Sequence, residues 1–142
     1  MDYRFYGWEG ANARPVSAEY EKVSDPRHLY DLLCTIWCAQ TCAPRLRDGW
    51  SMENQTLGQC SITAFLVQDI FGGEVLGIPL QGGGVHCLNK AGGCLFDLTS
   101  EQFGDEKLDY SCCIPQSRDV HFADPDKYNR YLYLKNELLK RL

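Results

Sequence analysis

The sequence lacks the features that mark several large functional classes. It has no run of lysine and arginine, and its formal net charge is −5 at pH 7. Nucleic acid and anionic membranes are therefore not expected as partners. No apolar run approaches the ~20 residues of a membrane-spanning helix, and the N-terminal residues lack the apolar segment of a signal peptide. We therefore expect a cytoplasmic protein that binds neither nucleic acid nor membrane.

Cysteine is abundant, but the spacing typical of metal sites is missing. Eight cysteines occur among 142 residues, and none forms a Cys-x-x-Cys pair. In a cytoplasmic protein we expect them to be reduced thiols. Cys34, Cys38 and Cys42 recur every four residues, which predicts small apolar residues on one side of a helix, with a metal site as a minor alternative. Cys112 and Cys113 indicate no role, and no cofactor or metal is expected.

Length and composition predict one α+β domain. The chain is 44% hydrophobic and 23% charged, which is ordinary for a globular protein. Residues 1–24 have no periodic pattern and predict an irregular arm on a core of residues 25–142. Proline after aspartate predicts helices over residues 25–42 and 124–140. Strand-like runs follow at residues 74–80, 85–90 and 94–99, with a short one near 112–114.

The stretch from Gly58 to Gly73 predicts a buried helix that begins at a cysteine. Its residues are apolar almost all round the helix, which is typical of a helix inside the core. Two glycines at its end supply a stop signal. Cys60 then lies where unpaired N–H groups and the helix dipole favour a thiolate. Cys60 alone also fits a small apolar residue at the entry to the core.

The two strands after this helix predict a hairpin that brings His86 and Asp97 together. With Ala91-Gly92 as a two-residue loop, His86 faces Asp97 directly. With Gly92-Gly93 as the loop, the two residues lie diagonally on the same face. Taken singly, His86 fits an ordinary strand histidine and Asp97 a turn cap. Together with Cys60 they predict a catalytic triad in which Asp97 orients the imidazole.

The order of these residues along the chain resembles the papain-like superfamily. Cys60 at a helix start, His86 on a strand and Asp97 on the next strand are similar to its compact transglutaminase-like and NlpC/P60-like branches. The resemblance implies a papain-like core and an amide donor to the oxyanion before the cysteine. Three side chains are candidates for that donor: Asn54, Gln55 and Gln59.

A second resemblance covers about residues 50–104 and is to the YunG-like bacterial proteins, a family with no settled activity. The matching motifs are Glu53-Asn54, Gly58-Gln59-Cys60, Val67-Gln68-Asp69, Phe71-Gly72-Gly73-Glu74, the glycine-rich turn into His86, Asn89, Phe96-Asp97-Leu98-Thr99 and Gln102-Phe103. One departure is that Cys87 and Leu88 follow the histidine where such proteins tend to carry aromatic residues. Strand alternation places Cys87 on the face opposite His86, so it is not expected to replace Cys60.

These patterns predict cysteine-dependent acyl transfer on an amide, isopeptide or thioester. The expected substrate is a peptide, a protein or a small amide, and hydrolysis, deamidation and transamidation all fit. Two alternatives remain: a non-catalytic module that binds a ligand at Gly82-Gly83-Gly84, and a metal site built from Cys60, His86 and Asp97. The sequence does not indicate an oligomeric state.

Overall fold

The computed structural model describes residues 2–142 and shows an α+β fold with a four-stranded antiparallel sheet. Its α-helices are α1 (Pro26–Leu33), α2 (Cys60–Phe71), α3 (Arg118–Phe122) and α4 (Pro125–Lys140). Its strands are β1 (Glu74–Pro79), β2 (Val85–Ala91), β3 (Cys94–Phe96) and β4 (Ile114–Pro115). Short 3-10 turns lie at Trp8–Gly10, Ala18–Tyr20, Pro44–Gly49 and Ser100–Phe103. No helix in this part of the chain has the length and apolar character of a membrane span.

Helix α2 is the centre of the core, as its apolar sequence predicts. Eight of its twelve residues are buried, and they pack between the sheet and α4. Asn89 of β2 donates a 2.9 Å side-chain hydrogen bond to the backbone carbonyl of Ala64 in α2. Because this bond is buried, it is protected from water and fixes the helix on the sheet. The position of Cys60 is therefore set by the most buried element of the fold.

The sheet has the strand order β3-β2-β1-β4, and the predicted hairpin joins β2 to β3. Ala91 pairs with Cys94 and Asn89 pairs with Phe96, so Gly92 and Gly93 form the two-residue loop. In this register His86 and Asp97 belong to the same face of the hairpin. The predicted strand positions are confirmed to within a few residues. The short predicted strand at 112–114 begins later and pairs Ile114 with Gly77 of β1.

The first predicted helix is wrong in its second half. It begins at Pro26, after a side-chain cap by Asp25, but ends at Leu33 instead of near residue 42. The Thr35 hydroxyl donates to the carbonyl of Leu32 and competes with helical bonding. Cys38 and Cys42 therefore do not share a helix face with Cys34. Helix α4, by contrast, confirms the prediction for residues 124–140.

The N-terminal arm, described from residue 2, is built into the body of the protein. Phe5 has no exposed surface, and Tyr20 is 2% exposed. Tyr6 forms a bridge to the hairpin, because its carbonyl accepts a 2.9 Å hydrogen bond from the backbone N–H of Asp97. The arm is irregular, as predicted. At Tyr6 it pairs with Asp97, the residue after β3, and so extends that edge of the sheet.

Replacing Gly73 with alanine is expected to destabilise the fold strongly. Gly73 has φ +75°, and an added Cβ would lie 2.1 Å from the carbonyl oxygen of Lys90. Gly93 is a matched control, because it has the same φ but no atom within 4 Å of an added Cβ. We expect Gly93→Ala to cost about 1 kcal/mol from backbone strain alone and Gly73→Ala to cost at least ~2 kcal/mol more. Urea unfolding measures both, and equal losses would contradict the packing of β1 on β2.

Candidate active site

Cys60 is the first residue of α2, where the helix leaves its backbone donors unpaired. Within residues 2–142, no carbonyl or side chain accepts a hydrogen bond from the N–H of Cys60 or of Ser61. The preceding residue, Gln59, makes no side-chain cap to the helix. The positive end of the helix dipole therefore acts on the Cys60 sulfur without competition from a capping oxygen.

His86 and Asp97 form a buried pair, as the hairpin predicts. Nε2 of His86 lies 2.7 Å from Oδ2 of Asp97, and both side chains are only 1% exposed. Tyr110 donates its hydroxyl to the same carboxylate oxygen at 2.8 Å. The other oxygen accepts from the backbone N–H of Thr99 at 3.2 Å. These donors compensate the cost of burying the carboxylate, and the edge-to-face ring of Phe103 fixes the imidazole from one side.

The second ring nitrogen of His86 is available for chemistry. Nδ1 is buried and has no hydrogen-bond partner in the described part of the chain. Burial lowers the pKa of His86, but the bond to Asp97 and the approach of Cys60 outweigh it and raise the pKa to about 10. Because Asp97 holds Nε2, a proton from the Cys60 thiol can only be taken by Nδ1.

The Cys60 thiol has a pKa well below its ordinary value. Interaction with Cys87 lowers it most, burial opposes this, and the charged imidazole of His86 lowers it further. A depressed thiol pKa beside a raised imidazole pKa favours a thiolate–imidazolium pair. Cys87 lies on the strand face opposite His86, as strand alternation predicts, but its effect on Cys60 is not expected from the sequence. Cys87 is buried, and its interaction with Cys60, together with burial, raises its pKa.

Cys60 and His86 open onto one cleft of about 760 Å³. One part of its wall is apolar and includes Leu46, Leu57, Leu80, Val85 and Phe103. Charged residues also line the cleft: Arg45 comes from the turn before α2, and Asp124, Asp126, Lys127 and Arg130 come from the beginning of α4. Gly84, at the end of the predicted glycine-rich turn, also lines the cleft. The cleft is large enough for a short peptide segment or a small amide.

None of the three amide side chains predicted as oxyanion donors lines the cleft with Cys60. Gln55 donates to the carbonyls of Cys34 and Trp37, where it satisfies the chain end after α1. Gln59 has no exposed surface and donates to the carbonyl of Cys38. Asn54 lines a separate, smaller pocket. The amide position before the cysteine is therefore used to support the fold.

Gln102 is the side-chain amide that shares the cleft with Cys60. Its Nε2 donates to the carbonyl of Thr99 at 3.0 Å, and its Oε1 accepts from the N–H of Gly58 at 3.4 Å. One N–H of the amide remains for a ligand. Gln102 belongs to one of the motifs shared with the YunG-like proteins, but the sequence does not assign it to the site, because it lies in a 3-10 turn that has no periodic pattern.

The metal-site alternative depends on how the histidine, cysteine and acidic side chains are grouped. Among residues 2–142, no three His, Cys, Asp or Glu side chains are grouped so that they could hold a metal ion. Asp97 is directed at His86 and Tyr110, so its oxygens are already used. The group is instead arranged as a thiol, an imidazole and an orienting carboxylate.

Comparison with known proteins assigns the chain to a family. The model of a family described as "YunG protein" matches residues 25–142. The chain belongs to the YunG family. A relative named "Uncharacterized protein YunG", from Bacillus subtilis (strain 168), is 32% identical over 93 residues, which cover 66% of this chain and 77% of the relative. No solved structure matches the chain. The YunG resemblance predicted from residues 50–104 is therefore confirmed at the level of the family.

Replacing Asp97 with asparagine is expected to lower the pKa of His86. The substitution removes the negative charge that stabilises the imidazolium, so the pKa should fall from about 10 by at least ~1 unit. Titration of the ring protons by NMR measures it. Asp48→Asn changes the same charge at an exposed position and should leave the His86 titration unchanged. An unchanged titration in Asp97→Asn would show that Asp97 does not control the imidazole.

Proposed function

We propose that this YunG-family protein is a cysteine-dependent acyl-transfer enzyme that acts on an amide, isopeptide or thioester. The observation that supports the proposal is the shared cleft: Cys60 at the start of a buried helix and His86 held by Asp97 both face it. A helix-terminal thiol with a depressed pKa beside an oriented imidazole is the arrangement that nucleophilic catalysis requires. The chemistry needs no cofactor.

In the proposed reaction the Cys60 thiolate attacks the carbonyl carbon and forms a tetrahedral oxyanion. The backbone N–H of Cys60 and the Nε2 of Gln102 are the proposed donors to this oxyanion, a contribution often worth ~3 kcal/mol per donor. His86 then protonates the leaving amine or thiol, which departs and leaves a thioester on Cys60. A water or an amine, deprotonated by His86, attacks the thioester and restores the thiolate. Water gives hydrolysis or deamidation, and an amine gives transamidation.

We also propose that the core is papain-like, in the compact transglutaminase-like form. Three features support this: the buried helix α2 begins at the cysteine, the histidine lies on an antiparallel strand, and the aspartate follows the neighbouring strand. The chain order Cys60, His86, Asp97 fits the same arrangement. Such a core is a frame for acyl-transfer chemistry of several kinds, so the reaction type is assigned from the site.

Cys60 is expected to be alkylated rapidly by iodoacetamide well below pH 8. Its pKa is depressed, so the thiolate is present above that low value and is lost only when the pH falls through it. The rate should therefore change little between pH 9 and pH 8, where an ordinary thiol loses most of its thiolate. His86→Ala removes the cation beside the sulfur, and the rate at pH 6.5 should drop at least ~10-fold. Peptide mass spectrometry assigns the modified thiol, with exposed Cys112 as internal reference.

The same experiment separates the two alternatives from the proposal. A non-catalytic binding module predicts eight thiols that all react slowly, with Cys60 no faster than Cys112. A metal site at Cys60 predicts that the thiol is protected until a chelator is added. Either outcome would overturn the assignment of Cys60 as a nucleophile.

Gln102→Met is expected to impair acyl transfer without changing the reactivity of the thiol. Alkylation forms no oxyanion, whereas reaction with p-nitrophenyl acetate does. The variant should release p-nitrophenolate roughly 100-fold more slowly, while its rate with iodoacetamide stays within about twofold of that of the original protein. Absorbance at the p-nitrophenolate band gives the first rate. Equal losses in both reactions would show that Gln102 only supports the backbone near Gly58.

A further inference from the structure

The cleft that Cys60 lines also contains a lysine held by a histidine. Nζ of Lys127 lies 3.0 Å from Nδ1 of His121. Lysine has only donors, so Nδ1 must accept, and the ring proton lies on Nε2. That nitrogen lies 2.9 Å from Oε1 of Gln116 and donates to it. His121 is therefore a neutral support that fixes the ammonium of Lys127 and adds no negative charge to it.

The charge of Lys127 is not neutralised by the protein. Within residues 2–142, neither Lys127 nor Arg45 has a carboxylate within the 4.0 Å of an ion pair. Both line the cleft with Cys60. Two carboxylates also line the cleft. Asp126 pairs with Arg130 at 2.8 Å, and Asp124 accepts a hydrogen bond from the backbone N–H of Asp126 in the first turn of α4. The cleft therefore keeps an excess of positive charge in a chain whose net charge is −5.

The position of Lys127 is not explained by the stability of its helix. It lies in the first turn of α4, where the helix dipole opposes a cation. Lys127 is partly buried and lines the same cleft as Cys60. A held cation without a counter-ion, in the cleft of a nucleophile, is arranged to bind an anion.

We infer that Lys127, with Arg45 in the same cleft, binds a carboxylate of the substrate whose acyl group Cys60 attacks. The inference rests on the proposed function and deepens it, because it selects acidic acyl substrates from the wider set of amides, isopeptides and thioesters. The carboxylate comes either from the end of a peptide chain, on the amine side of the scissile bond, or from an acidic side chain on the acyl side. In both cases Lys127 is the binding residue and His121 is a positioning residue.

The first test compares an anionic and a neutral alkylating agent on the same thiol. In Lys127→Gln, alkylation of Cys60 by iodoacetate should slow at least ~5-fold relative to alkylation by iodoacetamide, because the attracting charge is gone. Lys127→Arg keeps the charge and should keep most of the iodoacetate rate. Lys135→Gln makes the same charge change further along α4, outside the cleft, and should alter neither rate. An unchanged ratio of the two rates in Lys127→Gln would overturn the inference.

The second test identifies the source of the carboxylate by protection of Cys60 from iodoacetamide. N-acetylglycine places a carboxylate on the amine side of its amide, and succinamate places one on the acyl side. N-acetylglycinamide and succinamide are the neutral controls. We expect one of the two acids to protect at least ~5-fold better than its control, and the preference to disappear in Lys127→Gln. If neither acid protects better than its amide, the subsite is not a carboxylate site.

Failure of the subsite and failure of the proposed function give different results. If both agents alkylate Cys60 slowly in the original protein and in Lys135→Gln, Cys60 is not an activated nucleophile. The subsite is then judged by binding alone. Binding is then read in Cys60→Ala from shifts of the His121 ring signals on addition of the two acids. Shifts that occur in Cys60→Ala and vanish when Lys127→Gln is added to it would support the subsite. If neither acid shifts the His121 signals in Cys60→Ala, the subsite is refuted.

Discussion

The hydrogen bond between His86 and Asp97 is the interaction on which the arrangement of this protein depends. Its partners are buried to 1% exposure and lie 2.7 Å apart. A carboxylate in that position is tolerated only if every oxygen is satisfied, and the donors come from separate parts of the chain: Thr99 beside it and Tyr110 further on. The backbone of Tyr6 in the arm fixes the same residue. The packing of three segments therefore converges on the group that orients the imidazole.

The sequence predicts those parts of the site that are set by local geometry. The loop at Gly92-Gly93 places His86 and Asp97 on one face, because alternation along a two-stranded hairpin leaves no other choice for a two-residue loop. The helix that begins at Cys60 is equally local, since its apolar residues and its terminal glycines both lie within the stretch. These features follow from spacings of a few residues, where backbone geometry decides the outcome.

The rest of the site depends on contacts between distant, irregular segments. Tyr110 reaches the Asp97 carboxylate, and Gln102 reaches the cleft, from segments without periodic pattern. Lys127 lines the cleft because α4 packs against α2. Gln55 shows the converse case, since its place before the cysteine suggests an oxyanion donor, yet its amide satisfies the carbonyls left where α1 ends early. The helical pattern of the sequence continues past Leu33, so neither the early end of α1 nor this use of the amide could be predicted from it.

The arm has a consequence for where the protein can be cut. The similarity to the YunG family begins at residue 25, whereas the folded unit begins earlier, because Tyr6 lies against the ring of Tyr110 at 3.7 Å and pairs with the backbone of Asp97. A protein trimmed to the limits of family similarity would lose both contacts together with buried Phe5. The match to the family model and the folded unit therefore begin at different residues, and the residues between them include those that support Asp97, the partner of the imidazole.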